Sequence, residues 1–193
     1  MEKEITPDQS LKLIEDMLRV AKQSFQRMSF YFLLWGGLLM IATLVEYFMG
    51  RAGLSNGWLG WPILGTLGGI IAGVHGAKEG RAKGVSTFTD RVFMWLWTAF
   101  TITLIILIVS MVSTGQRPGP IVSILTGMPT FITGAILRFR PLQVGGVLFW
   151  VLGLLSLFIW PEHGALLFGV ALLFGYIIPG ILLKRQEDGL RTA

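Results

Sequence analysis

Glu46, His75, Glu162 and His163 are the carboxylates and imidazoles that fall within or at the edges of the long apolar stretches of this chain. A carboxylate beside an imidazole can pass a proton or hold a cation, and paired histidines can share a metal. The spacing supports neither. Glu46 lies within one turn of the end of one apolar stretch, His75 near the far end of the next, and Glu162 and His163 share a short turn. The two histidines therefore fall at opposite membrane faces, and the chain has no cysteine, so no metal centre, iron–sulfur cluster or thiolate nucleophile is expected. No Asp, Lys or Arg stands near the middle of an apolar stretch, where pumps and proton relays keep their charges despite the cost. G-x-S-x-G, H-E-x-x-H and P-loop patterns are missing too. The expectation is a protein without catalysis or cofactor. One ligand set stays open: Glu46, Trp58 and Trp61 at one boundary, with Pro129 and Trp150 deeper, where Pro129 within TGMPTFITG would free backbone groups to line a cavity. Against it, Glu46 reads more readily as a boundary carboxylate bathed by headgroups and pairing Arg51.

The elements that must position these residues follow from composition. Of 193 residues, 53% are hydrophobic and only 14% charged, against about 25% charged in soluble domains. The charges gather in the first 27 residues, the last ten and short interruptions, leaving apolar runs with no polar face to offer water. Six runs have roughly the 20 residues needed to cross a bilayer: 28–49, 58–77, 93–113, 120–137, 142–160 and 164–183. The predicted fold is an all-α membrane protein of six transmembrane helices arranged as three helical hairpins. MEKEITPDQS lacks the pattern of a cleavable leader, so the first apolar run is expected to stay as an anchor.

Lysine and arginine set the orientation. With the N-terminus inside, Lys3, Lys12, Arg19, Lys22, Arg27, Lys78, Arg81, Lys83, Arg91, Arg138, Arg140, Lys184, Arg185 and Arg191 are cytoplasmic, and only Arg51 and Arg117 are outside. That bias predicts a bacterial inner-membrane protein with both termini cytoplasmic. Trp58, Trp61 and Trp160 fall at the outer boundary and Trp95 and Trp97 at the inner one, where indoles prefer to sit, while Trp35 and Trp150 read as packing deeper.

Residues 1–27 read as a cytoplasmic amphipathic helix. Thr6, Pro7 and Gln9 form a start signal, and Leu11, Ile14, Leu18, Ala21 and Phe25 make an apolar stripe opposite Lys12, Glu15, Arg19, Lys22, Gln23 and Gln26. Such a helix can lie on the inner leaflet, extend the first span, or dock a protein partner or a second copy of the chain. Residues 185–193 are expected to be a cytoplasmic tail. Within the bundle, IAGVHGAK, ITGAILR and IPGILLK end the second, fourth and sixth spans, and each of those spans carries a proline (Pro62, Pro129, Pro179), which suggests a threefold repeat. Gly65, Gly69 and Gly73 form a stripe, and Gly134 and Gly180 sit in the matching motifs; all five are expected to pack helices closely.

The stretches GMPTFITGAILRFRPLQVGGVLFWVLGLLSLF (127–158) and LKLIEDMLRVAKQSFQRMSFYFLLWGG (11–37), with the pattern P-T-F-x-x-G-x-x-L-R-F-R-P-L, resemble a family of small six-helix membrane proteins typical of Bacteroidetes. That family is described by topology, so the resemblance implies a fold and no site. Size and helix count are also similar to the substrate-binding membrane subunits of energy-coupling-factor vitamin importers. The first span, however, lacks their A-x-x-x-A coupling motif, and those subunits lack a long N-terminal amphipathic helix. The leading expectation is a non-enzymatic inner-membrane protein acting through protein partners, or a second copy, at its cytoplasmic face, with lipids around it and no nucleic acid. The alternative is a binding or transport subunit for a small, largely uncharged molecule.

Overall fold

The computed structural model describes residues 28–83, 88–116 and 118–192, and within these every regular element is a helix. Helix α1 spans Met28–Arg51, and a 3-10 turn at Gly57–Leu59 leads into α2, Gly60–Lys83. Then come α3 (Phe88–Ser113), α4 (Gly119–Ile136) and α5 (Arg140–Phe158). The sixth span joins α6 (Gly164–Leu172) through a π-helical turn at Leu173–Ile177 to α7 (Ile178–Thr192). Among the described residues, six helices are long and apolar enough to cross a membrane, so the chain is a multi-pass membrane protein by length and composition. The segment 1–27, where an amphipathic helix is expected, lies outside the described residues.

Helix ends differ from the expected boundaries where polar residues still favour helix. The anticipated loop from Lys78 to Arg91 is helical up to Lys83 and again from Phe88, and the anticipated tail is helical to Thr192. Lys, Arg, Gln and Glu are good helix formers, so an apolar window marks where a helix crosses lipid and not where it ends. Pro120 and Pro141 fall where a proline costs least, in first turns whose N–H groups lack an intrahelical partner.

The core lies between α1, α4, α5 and the sixth span. Phe149 and Leu142 of α5, Leu172 of α6, and Thr130, Thr133 and Pro129 of α4 are fully buried. Phe149 packs edge-on against Tyr176 at 5.2 Å between ring centroids, and Tyr176 against Phe32 of α1 at 5.4 Å. Backbones meet directly at glycines. A Cβ on Gly146 would stand 2.7 Å from Phe131 N, one on Gly134 2.6 Å from Gln143 N, and one on Gly145 2.7 Å from Gly175 Cα. Pro179 supplies no N–H to the carbonyl of Gly175 and would crowd it in an α-helix. The wider π turn just before it accommodates the proline and presents Gly175 to α5.

Helices α2 and α3 lie on the flanks, with 11% of each apolar window buried against 39% for α4. α2 rests on α1 through Gly68, where an added Cβ would stand 2.9 Å from Leu38 and 3.1 Å from Trp35. α3 approaches α1 through Trp97, whose ring centroid lies 6.2 Å from that of Phe32.

Candidate functional site

The expected ligand set does not assemble. Glu46 and Trp61 meet across α1 and α2, where the indole Nε1–H donates to the Glu46 carboxylate at 2.6 Å. The Trp61 ring packs on Phe168 at 5.6 Å, and Gly57 lies against the Glu46 backbone, so the carboxylate ties the turn between α1 and α2 to the bundle. Trp58, one residue past Gly57, is 58% exposed and joins Trp160 at the same end of the bundle, as an interfacial indole does. Pro129 is fully buried inside a continuous α4, so no helix break opens there. Trp150 packs on Phe131 at 5.5 Å and lies against Gly127, sealing the α4–α5 contact. These five residues therefore form a belt, a tie and a packing joint at different places. Trp61→Phe keeps the ring and removes the donor; it should lower stability by about 1–2 kcal/mol, as loss of a hydrogen bond to a charged group does. Glu46→Gln keeps an acceptor and should cost less, both read as denaturation midpoints in detergent.

The glycines expected to pack divide in the same way. Gly134 and Gly180 are packed, Gly180 with Leu33 Cδ2 3.0 Å from its would-be Cβ. Gly65, Gly69 and Gly73 would meet nothing within 4 Å, so among the described residues the stripe has no partner and Gly68 makes the close approach instead. Glycine spacing alone does not tell which face of a helix its neighbour takes. The three motif-matched glycines, Gly73, Gly134 and Gly180, thus occupy three unlike environments.

A line of hydroxyls runs down α4. Ser123 Oγ donates to the Phe149 carbonyl at 3.0 Å, Thr126 Oγ1 to Val122 O and Thr130 Oγ1 to Thr126 O, each at 2.7 Å. Tyr176, buried edge-on against Phe149, brings the sixth span into the same core. The hydroxyls of Thr133 and Ser156 are buried without a hydrogen-bond partner. Of these α4 hydrogen bonds only that of Ser123 crosses from one helix to another, the kind of contact that holds helices together in lipid.

The richest polar arrangement is at the end of the bundle where α1, α3 and α5 begin. Glu187 of α7 is only 6% exposed, accepts the Ser29 backbone N–H at 3.1 Å and also accepts the Ser29 hydroxyl. This buried carboxylate was not anticipated, because residues 185–193 read as a tail. A signal exists all the same. Tyr176, Gly180, Leu183 and Glu187 recur at steps of three or four and are all buried, so the inward stripe of the sixth span runs on past its apolar window.

Beside this pair lies a half-open recess of about 360 Å³ lined by Ser29, Phe30, Leu33, Leu34 and Lys184. Phe30 in turn stacks on His75 of α2 at 3.9 Å. Arg138 and Arg140 flank the turn between α4 and α5, and both are exposed, as are Lys78, Arg81, Arg91 and Arg185. None of these six cations, nor Lys184, forms a salt bridge among the described residues.

Arg138 is held in an unusual backbone state. Its φ is +51°, the left-handed region where glycine normally sits. Its N–H bonds the Ala135 carbonyl at 3.1 Å and the Phe139 N–H bonds the Gly134 carbonyl at 2.8 Å, the two bonds of a Schellman cap. The cap ends α4 and aims the chain into Arg140–Pro141 at the start of α5. Comparison with family models, curated proteins and solved structures finds no match to this chain.

Proposed function

We propose that the chain is a non-enzymatic, multi-pass protein of the bacterial inner membrane. In this reading it is built of three consecutive hairpins with both termini in the cytoplasm, and it acts by docking an acidic protein partner on its basic end. The observation that carries the reading is Arg138. A glycine at that position would relieve left-handed strain of about 1 kcal/mol, yet the chain keeps an arginine there. The strained turn holds Arg138 and Arg140 at the same exposed end as Lys78, Arg81, Arg91 and Arg185. Among the described residues none of them forms a salt bridge, and Glu187 accepts from Ser29. Unpaired cations on a rigid turn suit recognition of carboxylates, arginine above all because its planar fork binds them in two places. Residues 1–27, read as an amphipathic segment with five basic and five acidic residues, would lie at the same end.

Arg138→Gly separates docking from folding. The variant should be as stable as the parent or up to about 1 kcal/mol more stable. It should also lose most of a protein adduct formed in native membranes by a photo-crosslinker at position 139. Arg138→Lys keeps a charge without the fork and should fall between. A crosslinking pattern unchanged in Arg138→Gly and in the charge-reversed Arg138→Glu/Arg140→Glu pair would end the docking reading.

A further inference from the structure

The recess between α1 and α7 is apolar along its wall and cationic at its rim. Phe30, Leu33 and Leu34 present a continuous hydrocarbon surface along one turn of α1, while Lys184 closes the open side from α7. The stacking of Phe30 on His75 fixes one wall, and Leu33 is held against Gly180, so the shape belongs to packed helices. At the floor, the Ser29 N–H and hydroxyl are committed to Glu187, which forms no salt bridge with Lys184. Asp188, one turn beyond, does not line the recess. Lys184 is exposed, lacks an ion-pair partner among the described residues and is followed by the equally unpaired Arg185.

The place of this recess along the span selects its occupant. The apolar window of the sixth span ends at Lys184 and polar residues follow, so the rim lies at headgroup depth and the wall at the start of the acyl region. Water is a poor occupant for a wall of Phe and Leu, and a neutral headgroup leaves the lysine uncompensated. We infer that the recess is a binding site for one anionic phospholipid, its phosphate on Lys184 and the first part of one acyl chain against Phe30, Leu33 and Leu34. The volume, about 360 Å³, lies near the lower end of ligand sites. It admits a headgroup phosphate and part of a chain, with the rest of the lipid in the bilayer. Basic pockets between membrane helices recognise anionic headgroups through this chemistry, and Lys184 supplies it here. The site is separate from the Arg138 turn and does not rest on the docking reading.

The test reconstitutes the full chain in nanodiscs with equal amounts of phosphatidylglycerol and phosphatidylethanolamine, then ejects it for native mass spectrometry. The parent should retain one phosphatidylglycerol in preference to phosphatidylethanolamine. Lys184→Gln should lower that retained fraction about fivefold, the effect of one lysine removed from an anionic surface. Leu34→Trp, which fills the recess and leaves every charge in place, should lower it as well. Lys78→Gln removes an equally exposed cation at the same end and should leave retention unchanged. Equal retention of the two lipids, no loss with Lys184→Gln, or an equal loss with Lys78→Gln would overturn the site and reduce the effect to diffuse charge.

Discussion

Gly146→Val should leave almost no folded protein, whereas Gly69→Ala should leave the fold intact. The two glycines look alike in the sequence, each inside an apolar span. In the structure a Cβ at position 146 would stand 2.7 Å from Phe131 N, 2.7 Å from Phe131 Cβ and 2.8 Å from the Gly127 carbonyl oxygen. Backbone atoms cannot rotate aside as a side-chain tip can, so α4 and α5 would have to separate along their whole contact. Overpacking a core with flexible neighbours costs about 1–3 kcal/mol. A rigid backbone contact, lengthened further by the two methyls of valine, should exceed that. Separation would also strip Ser123 from the Phe149 carbonyl and open the seam around Trp150. At position 69 an added methyl meets nothing within 4 Å and improves helix propensity. The measurement is the monodisperse fraction by fluorescence-detected size exclusion, before and after heating. A stable Gly146→Val would mean that the α4–α5 approach is looser than its geometry indicates. A loss at Gly69→Ala would mean that something beyond the described residues covers the α2 stripe.

That contrast marks how far the residues alone carry the fold. Six spans were legible because bilayer thickness imposes a length on an apolar run, and length is a property the sequence displays directly. Which face of each span meets which neighbour was not, because small residues at steps of four permit close approach without saying from where. The Gly65–Gly69–Gly73 stripe is the regular one and is open; Gly68, out of step with it, is the one that packs. Proline misleads in a related way. Pro129, in mid-span, promised a break, yet α4 runs through it; the deformation comes at Leu173–Ile177, ahead of Pro179. A proline's effect depends on whether the turn before it can widen, and Gly175 allows that. The candidate site was least visible of all. Glu46 was identified, but its partner Trp61 was placed beside it as a co-ligand and not as its hydrogen-bond donor. Glu187 is hidden from the sequence because hydropathy falls where the helix leaves lipid, while burial continues for another turn.

Glu187→Ala should be the most damaging single change at the basic end, with a loss of about 3 kcal/mol. The carboxylate takes both the backbone N–H and the hydroxyl of Ser29, and its removal strands two donors in a site that is 5% exposed at Ser29. Each stranded donor costs about 1–3 kcal/mol, a penalty that exceeds the worth of the bond itself. Ser29→Ala removes one of the two donors and leaves the N–H paired, so it should cost less. Glu187→Gln retains a single acceptor oxygen and should fall between. If the two residues act as one tie, the Ser29→Ala/Glu187→Ala double variant should lose less than the sum of the singles, by at least 0.5 kcal/mol, the usual floor for residues in contact. The consequence is local as well as global. α7 beyond Leu183 is held to α1 by this pair, so its release should make the bonds after Lys184 and Arg185 open to trypsin at concentrations that leave the parent intact. Protection unchanged in Glu187→Ala, together with a parental melting midpoint, would show that the end of α7 is secured by other means. An increase in cleavage with lipid retention preserved would show that Lys184 holds its place without the Glu187 tie, since the wall of the recess belongs to α1 alone.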